Sequence, residues 1–173
     1  MIQRLKLLPE IRITMVCMGN ICRSPMAAAV LSNRTADWTS PRITVDSSGT
    51  DSWHVGQGAH PTSKQVWQSA GYEYVHAARQ FHASDFFLTD LILVMDSNNF
   101  QKVMKLADSN ESRSKVFYLR NFDESLKSID PDSVDFSKLE VPDPYNQSVE
   151  AYEETLFMIE RAVDGLLQEL ARQ

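Results

Sequence analysis

Residues 11–30 read IRITMVCMGNICRSPMAAAV and pass from an apolar strand over 11–16, through a tight loop, to a helix that opens at Ser24-Pro25. The loop from Cys17 to Arg23 therefore lies where a strand hands over to a helix N-terminus. Backbone N–H groups at a helix start have no intrahelical acceptor and sit at the positive end of the helix dipole, so a loop wrapped there can hold a phosphate-sized oxyanion. Those dipoles, together with the guanidinium of Arg23, favour the thiolate form of Cys17 and make it a candidate nucleophile. The spacing Cys-x5-Arg lets the loop curl until Arg23 returns to an anion bound over Cys17, offering two coplanar hydrogen bonds.

The chain has 173 residues, enough for one domain over 1–173 with a full hydrophobic core. Hydrophobic residues make up 43% and charged residues 23%, an ordinary balance for a globular protein. A formal net charge of -6 gives no global field for nucleic acid or for an anionic membrane, so an anion site here must be locally positive on an acidic background. The two cysteines both fall inside the loop, which argues against a secreted disulfide framework and for a reducing, cytoplasmic setting. Residues 1–10 (MIQRLKLLPE) carry no apolar run of signal-peptide length, and no stretch reaches membrane-spanning length, so no membrane insertion is expected.

Outward from the loop, residues 1–10 read as a short helical or disordered leader. Pro25 suits a first helical turn with Ser24 as N-cap, and the helix runs to about Ala36. Ser24 has two readings, a cap alone or a cap whose hydroxyl also faces Cys17. Alternation predicts a second strand over 42–48, followed by a long loop over 49–60 that contains Trp53 and His54. With no periodic apolar neighbours, Trp53 reads as a cleft wall rather than as core. A helix is expected over 61–70, with Val66 and Trp67 inward and Gly71 at its end. Residues 72–81 form an irregular connection. The fully apolar run LILVM at 91–95 is the pattern of a strand covered on both faces. Asp96 then caps a helix through Leu106, and residues 115–119 supply a fourth strand. The acidic, Ser/Asp-rich segment 121–140 reads as a solvated connection. Val149, Tyr152, Leu156, Ile159, Val163, Leu166 and Leu170 recur at steps of three and four, a C-terminal helix expected to pack on the sheet. Alternating strands and helices predict a parallel α/β sheet flanked by helices on both faces, with ligands bound beyond the strand C-termini at a topological switch, where Cys17 falls.

A phosphocysteine route also needs an acid for the leaving oxygen. Asp143 in VPDPYNQS stands between two prolines just before the last helix, a stiff mount for a carboxyl group. Alone, Asp-Pro would be read as a turn. The loop at 17–23 gives it the second meaning. The four histidines, His54, His60, His76 and His82, show no paired metal-ligand spacing, so each reads as structural or surface and no metal is expected.

These residues resemble the low-molecular-weight protein tyrosine phosphatases. CMGNICRSP at 17–25 looks like that family's phosphate loop and DPY at 143–145 like its general-acid loop, with further matches at VDSSGT (45–50), WHVG (53–56), ARQ (78–80) and VMD (94–96). The resemblance implies a four-stranded parallel sheet flanked by helices and hydrolysis of phosphomonoesters through a phosphocysteine, with no metal or other cofactor. It makes Cys17 the nucleophile, Arg23 the transition-state clamp and Asp143 the general acid and then base. Backbone amides of Met18, Gly19, Asn20, Ile21, Cys22 and Arg23 would bind phosphate. Gly19 and Asn20 would give the loop its unusual backbone, with Ser24, Ser47 and His76 bracing Asn20. Trp53 and Tyr145 would wall a cleft deep enough for phosphotyrosine, so the partners implied are tyrosine-phosphorylated proteins or small aryl phosphates, with the oligomeric state left open. Cys22 matches a second cysteine of many family members and has two readings, a reversible disulfide partner for Cys17 under oxidant or a small apolar filler. Asn146 stands where the family often has a second aromatic, and segment 121–140 is longer than usual.

Three rival readings remain. A thioredoxin-coupled arsenate reductase would need two relay cysteines outside the loop, and this chain has none there. Protein arginine phosphatases share the scaffold but typically carry threonine before the second loop cysteine, where Ile21 here resembles the tyrosine-directed type. A silent phosphate-binding module would need neither a thiolate nor an acid.

Overall fold

The computed structural model describes residues 2–130 and 132–171. In chain order the elements are α1 (Ile2–Leu5), β1 (Glu10–Cys17), α2 (Arg23–Arg34), β2 (Arg42–Gly49), α3 (Pro61–Ser69), α4 (Asp85–Leu88), β3 (Leu91–Val94), α5 (Ser97–Leu106), α6 (Asn110–Ser114), β4 (Val116–Tyr118) and α7 (Val149–Ala171). Three 3₁₀ turns, Leu119–Phe122, Glu124–Leu126 and Phe136–Leu139, lie between β4 and α7. The four strands form one parallel sheet in the order β2-β1-β3-β4. The chain runs from β1 outward to β2 and then crosses back to β3 on the other side of β1, a reversal that opens a crevice at the C-terminal ends of β1 and β3.

Alternation along the central strands sorts the core into two layers. Ile11, Ile13, Met15 and Cys17 of β1 join Leu91 and Leu93 of β3 on the face covered by α2, α3 and α7. Val16, Ile92 and Val94 turn the other way, onto Phe86, Val103, Val116 and Tyr118. Helices thus cover both faces, as the apolar run at 91–95 requires. Helix α2 sits deepest: Met26, Ala27, Ala28, Ala29, Val30 and Leu31 are all fully buried. Burying each of the larger side chains contributes roughly 1.5–3 kcal/mol, which fixes the helix whose N-terminus faces the crevice. Among the described residues, no helix is long and apolar enough to cross a membrane.

Several expectations need correction. The leader is helical over Ile2–Leu5 and inserts Leu5 into the core, while Met1 lies outside the described residues. Helix α2 begins at Arg23 with Cys22 at the cap position, so Ser24 lies within the first turn and is not the N-cap. Segment 121–140 is not simply a solvated loop: Phe122, Asp123 and Leu139 are buried, and Asp123 accepts from both Nε and Nη2 of Arg161 on α7. Helix α7 packs on α2, α3 and the turn Leu119–Phe122, and its buried face shares one core with β1 and β3. Its first apolar residue, Val149, is exposed. The turn Leu119–Phe122 is a further partner of α7 that the helical periodicity alone does not reveal.

Gly165 makes that last packing possible. A Cβ at this position would lie 1.7 Å from the carbonyl oxygen of Phe122, a backbone atom with no rotamer to yield. Gly165→Ala should therefore force α7 away from the turn and lower stability by about 1–3 kcal/mol, read as a drop in the urea midpoint at unchanged m-value. A midpoint equal to wild type would mean that this contact is soft.

Candidate active site

The loop from Cys17 to Arg23 turns its carbonyls outward. Cys17 O accepts from Thr50 N (2.9 Å), Met18 O from Asp51 N (3.0 Å) and Ile21 O from His60 N (2.8 Å). Asn20 O accepts from His76 Nε2 at 2.7 Å and Cys22 O from Ser63 Oγ at 2.8 Å. In a trans peptide each carbonyl points opposite to the next amide, so the N–H groups of Met18, Gly19, Ile21, Cys22 and Arg23 are aimed at the loop's centre. A ring of inward amides at the start of α2 is an anion cradle.

Asn20 sets that winding. Its φ is +57°, in the left-handed region, and its side chain is completely buried. The amide Nδ2 donates to Ser24 Oγ (2.8 Å) and Ser47 Oγ (3.0 Å), and Oδ1 accepts from Arg79 N at 2.9 Å. Ser24 Oγ in turn lies 3.0 Å from Cys17 Sγ. Ser24, Ser47 and His76 thus meet around Asn20, and the Ser24 hydroxyl faces the thiol. Gly49 lets the loop lie against the end of β2, since a Cβ there would sit 2.6 Å from Met18 O.

Arg23 is 2% exposed, and its guanidinium is anchored on one side. Nη1 donates to Asp96 Oδ2 (2.6 Å) and to Val141 O (3.0 Å), and Nη2 lies 3.5 Å from Asp143 Oδ2. Burial opposes the charge, but Cys17, Asp143 and Asp96 outweigh it and raise the guanidinium above its ordinary value. Asp96 works twice, because its other oxygen caps α5 by accepting from Asn99 N at 2.8 Å. Val141 N donates to Met95 O at 2.7 Å, which pins the segment carrying Asp143 to the end of β3. Tyr145 N donates to Asp143 Oδ1 (3.2 Å), Gln147 Nε2 to Asp143 O (3.0 Å), and Gln147 N to Pro144 O (2.9 Å). Asn146 takes φ +59° in that turn, the positive φ that a type II turn needs at its third residue.

Cys17, Met18, Gly19, Ile21, Cys22, Arg23, Trp53, His54, Asp143 and Tyr145 line a single cleft. Trp53 and Tyr145 stand proud of the surface, 69% and 46% exposed. Among the described residues, no group of three or more His, Cys, Asp or Glu side chains is placed to hold a metal ion.

A family model for low molecular weight phosphotyrosine protein phosphatases matches residues 12–173. The chain belongs to that family. It is 39% identical over 163 residues to a low molecular weight protein-tyrosine-phosphatase of Streptomyces coelicolor, the match covering 94% of each chain. A crystal structure of a protein tyrosine phosphatase from Entamoeba histolytica, with Hepes in the active site, superposes with a TM-score of 0.80 at 30% identity, covering 92% of this chain and 96% of that one. The YwlE arginine phosphatase from Geobacillus stearothermophilus superposes with a TM-score of 0.75 at 28% identity, covering 92% of both chains. This phosphatase is thus a hydrolase on the four-stranded α/β scaffold of its family.

Some residues in and around the cleft escape a sequence reading. Asp96 signals only its helix cap, although its place just after the buried run of β3 puts it at the crevice. His54, read as structural or surface, lines the cleft. Arg79 joins through its backbone, which no side-chain pattern reveals. His60 caps α3 through its ring, accepting from Thr62 N at 3.2 Å. The two cysteines are both free and buried.

Two ionisations follow from this geometry. Burial pushes the Cys22 thiol up to about 12, with Cys17 and Asp143 adding to the rise and the Tyr152 hydroxyl and Arg23 opposing it. Cys22 is therefore a protonated thiol at neutral pH. Iodoacetate at pH 7 should alkylate Cys17 and spare Cys22, as read by peptide mass mapping, and inorganic phosphate should protect. Comparable labelling of both would contradict the assignment. Burial also holds the His76 imidazole below its ordinary value, against the pull of the Asn20 carbonyl and Asp46. The unfolded chain takes up a proton near about pH 6.5 that the folded chain refuses, so this contribution is complete above that pH and is lost as pH falls. His76→Gln should flatten the decline of the urea midpoint below about pH 6.5, and an unaltered slope would exclude His76 as its source.

Proposed function

We propose that this phosphatase hydrolyses protein phosphotyrosine and small aryl phosphates through a phosphocysteine on Cys17, with Arg23 clamping the phosphoryl group and Asp143 as general acid and base. One observation carries the reading: Asp143, from the distant segment before α7, stands 3.5 Å from Nη2 of Arg23 in the cleft that Cys17 lines. Cys17 Sγ attacks phosphorus as the bond to the aryl oxygen breaks, and Asp143 gives its proton to that oxygen. Asp143 then takes a proton from the water that attacks phosphorus, the S–P bond breaks, and inorganic phosphate leaves with Cys17 restored as thiolate.

Each step draws on a group already in place. The inward amides and Arg23 oppose the charge of the equatorial oxygens, in a site where these dipoles need no reorganisation. Ser24 Oγ, 3.0 Å from Cys17 Sγ, can donate to the sulfur and make it a better leaving group in the second step. Trp53 and Tyr145 offer apolar faces to an aryl ring. Cys22, in the same cleft, would close a disulfide with Cys17 once oxidant converts the nucleophile to a sulfenic acid. A cytoplasmic location suits a nucleophile that works only as the reduced thiol.

Cys17→Ser should abolish hydrolysis of p-nitrophenyl phosphate, by about 10⁴-fold or more, while phosphate binding survives. Asp143→Asn should slow phenyl phosphate by about 10²-fold or more and p-nitrophenyl phosphate less, because protonation matters most for the basic leaving group. Equal losses would remove Asp143 from the acid role. Run side by side on phosphotyrosine, phosphoarginine and phosphoserine peptides, and on arsenate with a thiol reductant, the wild type should prefer phosphotyrosine. Preference for phosphoarginine or turnover of arsenate would overturn the substrate assignment.

A further inference from the structure

Tyr145 lines the cleft and is 46% exposed, so its place depends on the few side chains that support it. That support is the half-buried ring of His60, met edge-to-face at 5.7 Å between centroids with an interplanar angle of 79°. His60 in turn stacks on Tyr152 of α7, 5.4 Å away at 20°, and Tyr152 is completely buried. Two contacts fix the imidazole: Thr62 N–H donates to Nδ1 at 3.2 Å, and Tyr152 OH lies 3.3 Å from the same nitrogen. A backbone N–H can only donate, so Nδ1 is an acceptor and a neutral ring carries its proton on Nε2. The backbone of His60 is tied to the anion loop through its N–H to Ile21 O at 2.8 Å. Tyr152 closes the circuit, its hydroxyl lying 3.7 Å from Cys22 Sγ.

We propose that His60 is a positioning residue for the hydrolytic reaction: it holds the Tyr145 ring at a fixed distance from the phosphate loop and so sets the aryl cleft, an inference that rests on Tyr145 being that wall. Nothing in the turn 143–147 itself fixes the ring, because its hydrogen bonds run through backbone atoms and the side chains of Asp143 and Gln147. The edge-to-face contact supplies the missing constraint, and the stack on a buried tyrosine keeps the supporting ring from yielding.

The test uses two substitutions that separate the ring from the cap. His60→Asn retains a favoured helix cap and removes the ring, whereas His60→Phe keeps a ring and removes the acceptor. His60→Asn should raise KM for p-nitrophenyl phosphate about fivefold, the order of one aromatic contact, with the larger share of the loss in KM rather than kcat and no change in KM for glycerol phosphate. His60→Phe should bring KM back toward wild type while lowering the melting temperature. In a Tyr145→Ala background, His60→Asn should add nothing further, since the residue acts through Tyr145. An unchanged KM in His60→Asn, or the same increment with Tyr145 absent, would overturn the proposal. Should His60→Asn fail to fold, NMR of the wild type decides: contacts between the His60 and Tyr145 rings with an Nε2–H tautomer support it, and their absence overturns it. A wild type inactive on aryl phosphates would instead sink the functional reading and leave the ring contact to the NMR measurement.

Discussion

A left-handed asparagine governs the active site. An L-residue at φ +57° costs about 1–2 kcal/mol, and asparagine tolerates it better than most because its short amide can bond locally. Asn20 does more than tolerate it: its side chain and carbonyl hold Ser24, Ser47, Arg79 and His76 in one buried network. At a net gain of about 1 kcal/mol for each bond, the network exceeds the strain. The reversal at Asn20 is what allows the carbonyls on either side of it to face outward and the amides inward. Without it the strand would run straight into α2 and the helix N-terminus would present only its first free amides.

Charge is then handled against the grain of the whole molecule. The chain carries a net charge of -6, yet its cleft holds a buried guanidinium. The desolvation cost of Arg23 is offset from behind by Asp96 and the carbonyl of Val141. Such a pair adds little to stability, but loss of Asp96 would strand a buried cation, a defect typically worth about 3–5 kcal/mol. Using one face of the guanidinium for the anchor leaves Nη2 toward Asp143 and the cleft.

The fold was legible wherever the signal is local. Apolar runs place β1 and β3, the cap at Asp96 places α5 and steps of three and four place α7, each within a residue or two, since such signals are carried by near neighbours in the chain. The loop at 17–23 stood out because one short segment carries both Cys17 and Arg23. What stayed hidden depends on pairs far apart in sequence: Asp96 behind Arg23, Gly165 under Phe122, His60 behind Tyr145. Ser24 reads in the sequence as a cap, alone or with its hydroxyl also toward Cys17, because Ser-Pro at a helix start usually caps. Here the tight loop already delivers α2 from Arg23 onward, freeing the hydroxyl for the thiol and Asn20. Segment 121–140 misled for a related reason: its composition is that of a solvated loop, but Phe122, Asp123 and Leu139 are spent inward on α7 and the second core layer.

Asp143, Arg23 and Tyr145 form one mechanical unit. Val141 bonds β3 through its N–H and Arg23 through its carbonyl, so the position of Asp143 two residues later is slaved to the guanidinium. Pro142 and Pro144 remove freedom on both sides, and the turn at Asn146 sends the chain into α7. Where the family often has a second aromatic, asparagine accepts the positive φ that this turn requires. That leaves Tyr145 as the aromatic wall on this side of the cleft, backed by a histidine ring instead of a flanking aromatic. Support from His60 ties the wall to α3 and α7 as well as to the phosphate loop. The position of Tyr145 thereby depends on packing against α3 and α7, while the floor of the cleft is shaped by the backbone of one loop.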